Sequence, residues 1–348
     1  MTLDLLVAGG GPAGLATALL AARAGLSTVV IEPRAGVIDK ACGEGLMPAA
    51  LSRLLDLGVE PAGRELRGIR YCAGTVTAEA DFADGAPGRG VRRTILHAAL
   101  LDAVREAGVP IEAGRVRDVV AHREGVVADG RPARHLVVAD GLHSPLRRAL
   151  GLDAAVRGPR RYGLRQHVAV APWTDRVEVH WAADAEAYVT PVGPDEVGIA
   201  ILTSTRRPYA EHLAAFPELV ERIGGPGAGG GGPRSSVRGA GPLGQASRRR
   251  VAGRTLLVGD ASGYVDALTG EGLSLALAQA EAAVGAVVDD DPERYEREWR
   301  RIVRRHRILT RALLTATGVP AVRRRLVPLA RALPGVFGAA VREVGRVG

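Results

Sequence analysis

Hydrophobic positions along the chain switch between two periods, and the switches mark its elements. An apolar run, Leu3-Asp4-Leu5-Leu6-Val7-Ala8, enters the turn Gly9-Gly10-Gly11-Pro12-Ala13-Gly14. An Ala/Leu-rich stretch follows, then a second apolar run, Thr28-Val29-Val30-Ile31, which ends on Glu32. Residues 1–34 therefore predict a β-α-β unit. Residues 36–47 carry no clear period and read as a loop. Pro48 with Leu51, Leu54 and Leu55 predicts a helix over 48–57, and Leu96, Leu100 and Val104 place an amphipathic helix over 93–107. Strands are expected within 67–82 and at 111–121, 124–128 and 135–139. Residues 162–203 alternate strongly (Val177, Val179, Trp181; Val197, Ile199, Ile201), which predicts an antiparallel sheet. The stretch GGPGAGGGGP at 224–233 predicts a flexible loop. A strand at 255–258, a helix over about 272–288 and a helical tail over 293–346 complete the pattern.

This order predicts an α/β chain in three parts. A discontinuous nucleotide-binding domain takes 1–155 and 240–290, a β domain covering the substrate is inserted at 156–239, and a helical region closes the chain at 291–348. Composition changes little. Hydrophobic residues make up 47% of 348 and aromatics only 3%, so aliphatic packing must fill the core. Of 46 basic residues only Lys40 is a lysine, a bias that weakens any argument from the net charge of +8. Nucleic acid is excluded as a partner because no aromatic-basic interleaving or recognition motif occurs. Cys42 and Cys72 lack metal-ligand spacing, no metal site is expected, and two free thiols suit a reducing compartment. No signal peptide precedes the first strand and no apolar run of about 20 residues occurs, so a cytoplasmic location is expected. No partner protein is evident.

The glycine turn carries the chemistry. Strand, G-x-G-x-x-G and helix, followed by an acid 18 residues beyond Gly14 at Glu32, form a dinucleotide fingerprint in its required context. Gly9 permits the tight turn, Gly11 lets a pyrophosphate approach, and Gly14 lets the helix pack on the strand. The helix N-terminus, with Pro12 and Ala13, offers N–H groups to phosphate. Glu32, with Pro33 and Arg34 behind it, faces the adenosine ribose. Two further strand tips match in kind. Val137-Val138-Ala139-Asp140-Gly141 is followed by Ser144 and Arg147. Leu256-Leu257-Val258-Gly259-Asp260 is followed by Val265-Asp266-Ala267-Leu268-Thr269-Gly270-Glu271-Gly272-Leu273, which opens a helix.

These three segments together resemble the FAD-dependent superfamily of p-hydroxybenzoate-hydroxylase-like monooxygenases and geranylgeranyl reductases, over roughly residues 1–290. The resemblance implies a Rossmann-like FAD domain of the GR2 type. It implies that Gly9, Gly11, Gly14 and Glu32 hold the adenosine diphosphate half, and that Val116 faces adenine through its backbone. Arg93 of Arg93-Thr94-Ile95-Leu96 would lie beside the flavin, with Cys42 and Gly43 of the preceding loop. Asp140 and Gly141 would support FAD and a transient NAD(P)H. Gly259 and Asp260 would take the ribityl chain, and Gly270, Gly272 and Leu273 would bring a helix to the flavin ring.

Within the superfamily the motifs diverge. Lys40-Ala41-Cys42-Gly43-Glu44-Gly45-Leu46-Met47-Pro48 and Tyr188-Val189-Thr190-Pro191-Val192-Gly193 resemble the reductase branch. Ala267 replaces that branch's usual proline, however, and loops of the Cys42–Pro48 type also resemble hydroxylases of bacterial secondary metabolites. The expected activity is therefore an NAD(P)H- and oxygen-dependent monooxygenase acting on a hydrophobic aromatic or polyketide-type molecule. Reduction of isoprenoid C=C bonds is the alternative. A halogenase would want a W-x-W-x-I-P segment, and Trp173, Trp181 and Trp299 are isolated. Lys40, Glu44 and Glu271 are the catalytic candidates; a loop lysine and two structural carboxylates are the plain alternatives. His167, Tyr188 and Pro191 are substrate candidates on the β domain. The Arg-rich tail reads either as a peripheral membrane contact or as a solvated helix closing the domain.

Overall fold

A computed structural model describes residues 2–156, 158–224 and 232–346. Residues 225–231, most of the expected glycine-rich loop, lie outside the described residues. The first sheet is eight-stranded, and its five parallel strands run in the order Thr255–Leu257, Arg131–Val138, Leu3–Ala8, Thr28–Glu32, Ile111–Ala113. Leu5, Leu6 and Val7 are fully buried because both faces of this sheet are covered. One face packs against helices Pro12–Arg23, Arg93–Glu106 and Gly272–Val288; the other packs against the short strands Val119–Ala121 and Val126–Ala128. Strand order reverses about the central strand Leu3–Ala8, which has Thr28–Glu32 on one side and Arg131–Val138 on the other. That opens a crevice at the carboxyl ends of the strands.

The alternating residues 162–203 build a second sheet from Tyr162–Ala169, Arg176–Trp181, Ala185–Gly193 and Glu196–Thr203. One feature departs from the expected division. The hairpin Gly68–Ala73 and Val76–Asp81, placed by sequence in the nucleotide domain, joins this sheet, with Gly68–Ala73 parallel to Arg176–Trp181. The register sets Ile69 opposite Val177 and Tyr71 opposite Val179, which continues one apolar face across both segments. Strand period alone cannot say which sheet a hairpin joins.

The tail forms three helices, Pro292–Thr317, Pro320–Ala332 and Pro334–Val344. In the first, Tyr295, Trp299, Val303, His306 and Thr310 repeat at helical spacing and are buried. The Tyr295 hydroxyl donates to the Leu257 carbonyl at 2.7 Å and Trp299 Nε1 donates to Ser262 Oγ at 2.9 Å, both at the end of the strand Thr255–Leu257. Phe337 and Val341 pack with Met47, Phe82 and Val177, while Val327 packs with Val179, Trp181 and Leu268. Each such side chain contributes about 1.5–3 kcal/mol of burial. The tail is therefore a wall shared by both sheets. No helix among the described residues is long and apolar enough to cross a membrane.

Candidate active site

The first turn is built by steric necessity. Gly9 has φ +112°, and a Cβ there would lie 2.4 Å from the Ala139 carbonyl oxygen. At Gly14 it would lie 1.8 Å from the Gly9 carbonyl oxygen, whereas at Gly11 it would meet nothing within 4 Å. The backbone is thus closed where helix meets strand and open where a ligand must approach. Glu32 is buried; its Oε2 accepts from the Gly10 N–H at 2.7 Å, and its Oε1 accepts from Arg34 Nε at 2.7 Å. Burial opposes ionisation, but Arg34 and these N–H groups together hold the carboxyl below its usual range.

A cavity of about 1500 Å³ runs from this turn past both other strand tips to the tail helices. It exceeds the roughly 300–1,000 Å³ of an ordinary small-molecule site. Along it lie Gly9, Gly11, Pro12, Ala13, Glu32, Pro33, Arg34, Cys42, Gly43, Arg93, Val116, Asp140, Gly141, Gly259, Asp260, Gly270, Gly272 and Leu273. Gly14 stays out, packed under the turn. Arg147, fully buried, fixes the second and third tips together. Its Nη1 donates to the Ala261 carbonyl at 3.1 Å, its Nη2 donates to Gln245 Oε1 at 2.8 Å, and its Nε pairs with Asp153 at 2.8 Å.

Four polar atoms of the wall are buried without a hydrogen-bond partner: Arg93 Nε, Asp140 Oδ1, Arg165 Nε and Glu343 Oε1. Arg165 and Glu343 belong to ion pairs with Asp39 and Arg305, whereas Arg93 and Asp140 belong to none among the described residues. Burial lowers the basicity of Arg93 and raises the Asp140 carboxyl. A buried polar atom left unpaired is costly and marks a place for a ligand group. Lys40 and Asp260 face each other across the same stretch at 3.7 Å. Arg93, Asp140, Asp260 and the open turn at Gly11 fit the ring, ribityl and pyrophosphate parts of FAD.

Glu44 and His167 prove to be partners. Glu44 adopts φ +62°, and its buried carboxylate accepts from the Arg93 backbone N–H at 2.9 Å and lies 2.7 Å from His167 Nε2. His167 Nδ1 in turn contacts Ser235 Oγ at 3.0 Å and Arg165 Nη1 at 3.1 Å, and Arg165 pairs with Asp39. This ionic cluster fastens the loop 36–47 to the second sheet. Glu44 touches the cavity; His167 lies behind it.

Glu271 stands at the N-cap position of the helix Gly272–Val288 without a capping hydrogen bond, and its Oε2 lies 2.9 Å from His306 Nδ1 of the tail, off the cavity wall. A neighbouring acid that the sequence reading passed over, Asp266, is more perturbed. Burial first, and then the nearby Glu186, raise its carboxyl to about 6. Arg161 Nε lies 3.2 Å from Asp266 without hydrogen-bond geometry, and Arg161 also pairs with Glu186 at 2.6 Å. Arg323 of the tail completes the ladder, 2.7 Å from Glu186. Asp-x-Leu in the segment before Gly270 was the available signal, though nothing in it foretold the partners.

Of the substrate candidates, Tyr188 lines the cavity and donates to the Leu268 carbonyl at 2.8 Å; Pro191 does not line it. Tyr71 and Tyr264 also line it, though neither was among the substrate candidates. Burial pushes the Tyr71 phenol up to about 12 and the Tyr264 and Tyr188 phenols well above their usual value. All three therefore stay protonated. The tail supplies a mostly aliphatic stretch of wall, with Leu309, Leu313, Leu326 and Ala330, in which Glu343 is the one charged residue among the described tail residues. Away from the cavity, Cys72, Glu178 and His180 lie within 4.8 Å of one another, but Glu178 already accepts from Arg70 at 3.1 Å and Trp173 at 3.0 Å.

Comparison with known proteins agrees with this geometry. The menaquinone reductase of Mycobacterium tuberculosis is 30% identical over 303 residues, covering 79% of this chain and 74% of that protein. Digeranylgeranylglycerophospholipid reductase 1 of Methanopyrus kandleri is 30% identical over 333 residues, covering 86% of each. Among solved structures, a flavin-dependent brominase superposes with a TM-score of 0.81 at 17% identity, covering 99% of this chain and 94% of that one. A geranylgeranyl bacteriochlorophyll reductase-like protein from Thermoplasma acidophilum superposes at 0.71 with 20% identity, covering 87% and 84%. At such identities the structures show the fold alone. A family model described as an FAD binding domain matches residues 2–286, and the chain belongs to that family, the FAD-dependent oxidoreductases.

Proposed function

We propose that this protein reduces a C=C bond of a long, apolar, prenyl-bearing molecule, adding two hydrogens. The observation that carries the reading is the shape and lining of the cavity. Beyond the stretch of Arg93, Asp140 and Asp260 it continues as a mostly aliphatic passage walled by the tail helices, with Phe337 and Glu343 the exceptions there. Such a passage suits a chain without polar groups. The two reductase relatives, each about a third identical over most of its length, support the same branch.

Bound FAD would supply reducing equivalents as hydride. The glycine turn, Glu32, Arg93, Asp140 and Asp260 would hold it. The aliphatic wall keeps water from the reacting carbon. Tyr71 and Tyr264 each hold a proton at the phenol oxygen, and either can deliver the second hydrogen as a proton. With a single dinucleotide fingerprint, NAD(P)H would act as a passing electron donor. Monooxygenation remains the second reading, on the resemblance of the Cys42–Pro48 loop to hydroxylases. Turnover under argon with a prenylated quinone or a prenyl alcohol decides between them. A product heavier by two hydrogens supports reduction; a product formed only in air, with one added oxygen, overturns it.

A further inference from the structure

We infer that the tail helices form a docking face for an anionic lipid bilayer, from which the substrate enters the cavity. The substrate class rests on the function proposed above; the face itself does not.

Four apolar side chains of the tail both line the cavity and face solvent: Leu309 (42% exposed), Leu329 (50%), Leu333 (52%) and Val336 (67%). A residue that does both stands at the rim, so the aliphatic passage opens among these helices. The rim is not isolated. Seven of the fourteen large hydrophobics exposed among the described residues belong to the tail, and three of them, Ile308, Val319 and Val322, lie off the cavity wall. An apolar surface of that extent marks an interaction site.

Its charge selects the partner. Arg304, Ile308 and Arg311 fall at i, i+4 and i+7 on one helix, while Val322, Arg325 and Leu329 fall at i, i+3 and i+7 on the next. Guanidiniums therefore flank exposed apolar side chains on the same faces. None of Arg304, Arg311 and Arg325 pairs with a carboxylate among the described residues, whereas Arg305 beside them pairs with Glu343. A second copy of the chain, docked symmetrically, would set these guanidiniums against one another. Lipid phosphates would neutralise them while the apolar side chains enter the acyl boundary.

Flotation of the FAD-loaded full chain with vesicles tests this. The protein is expected to float with phosphatidylcholine vesicles containing about a third phosphatidylglycerol, and only weakly with phosphatidylcholine alone. The variant R304E/R311E/R325E should bind the anionic vesicles at least about 100-fold more weakly. The variant I308S/V322S should also lose binding, and both should keep the wild-type melting temperature and flavin spectrum. Those five side chains lie off the cavity wall. No flotation by wild type, binding unchanged in both variants, or a concentration-dependent dimer that shields the same residues overturns the inference. Flotation is read without turnover. A protein that floats but reduces nothing sinks the proposed reaction; one that reduces a dispersed short-chain acceptor yet never floats sinks the docking face.

Discussion

Replacing Arg93 with methionine should move apoprotein stability and cofactor affinity in opposite directions. Arg93 is the first residue of the helix Arg93–Glu106, so its cation sits at the positive end of that helix. Its side chain is 8% exposed, and its Nε has no partner. Removing an unsatisfied buried donor relieves about 1–3 kcal/mol, and methionine of similar length keeps the packing. At about 2.1 cal/mol/K of unfolding entropy per residue, that gain raises the apoprotein melting temperature by about 1–4 °C. FAD would lose a charge-assisted hydrogen bond of about 1.5–3 kcal/mol, weakening its binding about 10- to 100-fold. Differential scanning fluorimetry of stripped protein and a flavin-fluorescence titration measure the two quantities. An apoprotein that melts lower than wild type, with FAD affinity unchanged, would refute the reasoning.

Three further outcomes follow from the geometry. Gly14→Ala should destabilise the fold by about 3 kcal/mol, since its Cβ meets a backbone carbonyl that cannot swing aside, while Gly11→Ala should leave the apoprotein melt intact and weaken FAD at least about tenfold. Equal melts for the two variants would contradict this. Asp266 titrates near 6 in the fold instead of 3.8, so the stability its neutral form provides is full below about pH 4 and is lost as pH rises through 6. Asp266→Asn should remove that slope, of at most about 3 kcal/mol, in urea melts taken between pH 4 and 7. His306→Ala should strand the buried Glu271 and loosen the tail, seen as faster tryptic cleavage around Arg300–Arg311 with the flavin spectrum retained; an unchanged cleavage rate would return Glu271 to the catalytic candidates.

The first β-α-β unit and the two other strand tips were legible because their constraints are local. A positive φ, a helix N-terminus and a strand-ending acid are each written within about ten residues. The second sheet was legible as alternation, but its membership was not: Ile69 and Val177 have the same period whether or not they are neighbours. Glu44 and Glu271 stood out in the sequence as loop acids, and their partners, His167 and His306, lie 123 and 35 residues away. Nothing in spacing names such partners. The tail was read from its arginines, which the chain's bias multiplies everywhere. Its informative residues were the leucines between them, whose repeat says that one face is apolar without saying that it walls a cavity.

The parallel pairing of Gly68–Ala73 with Arg176–Trp181 bears on how the molecule can be assembled and cut. Residues 156–239, expressed alone, would present the edge of Arg176–Trp181 as unpaired amide groups, an invitation to aggregate. The second sheet is therefore not a module that can be lifted out with residues 156–239 alone. During synthesis this sheet must wait for both segments, about a hundred residues apart, before its Gly68–Ala73 edge can pair.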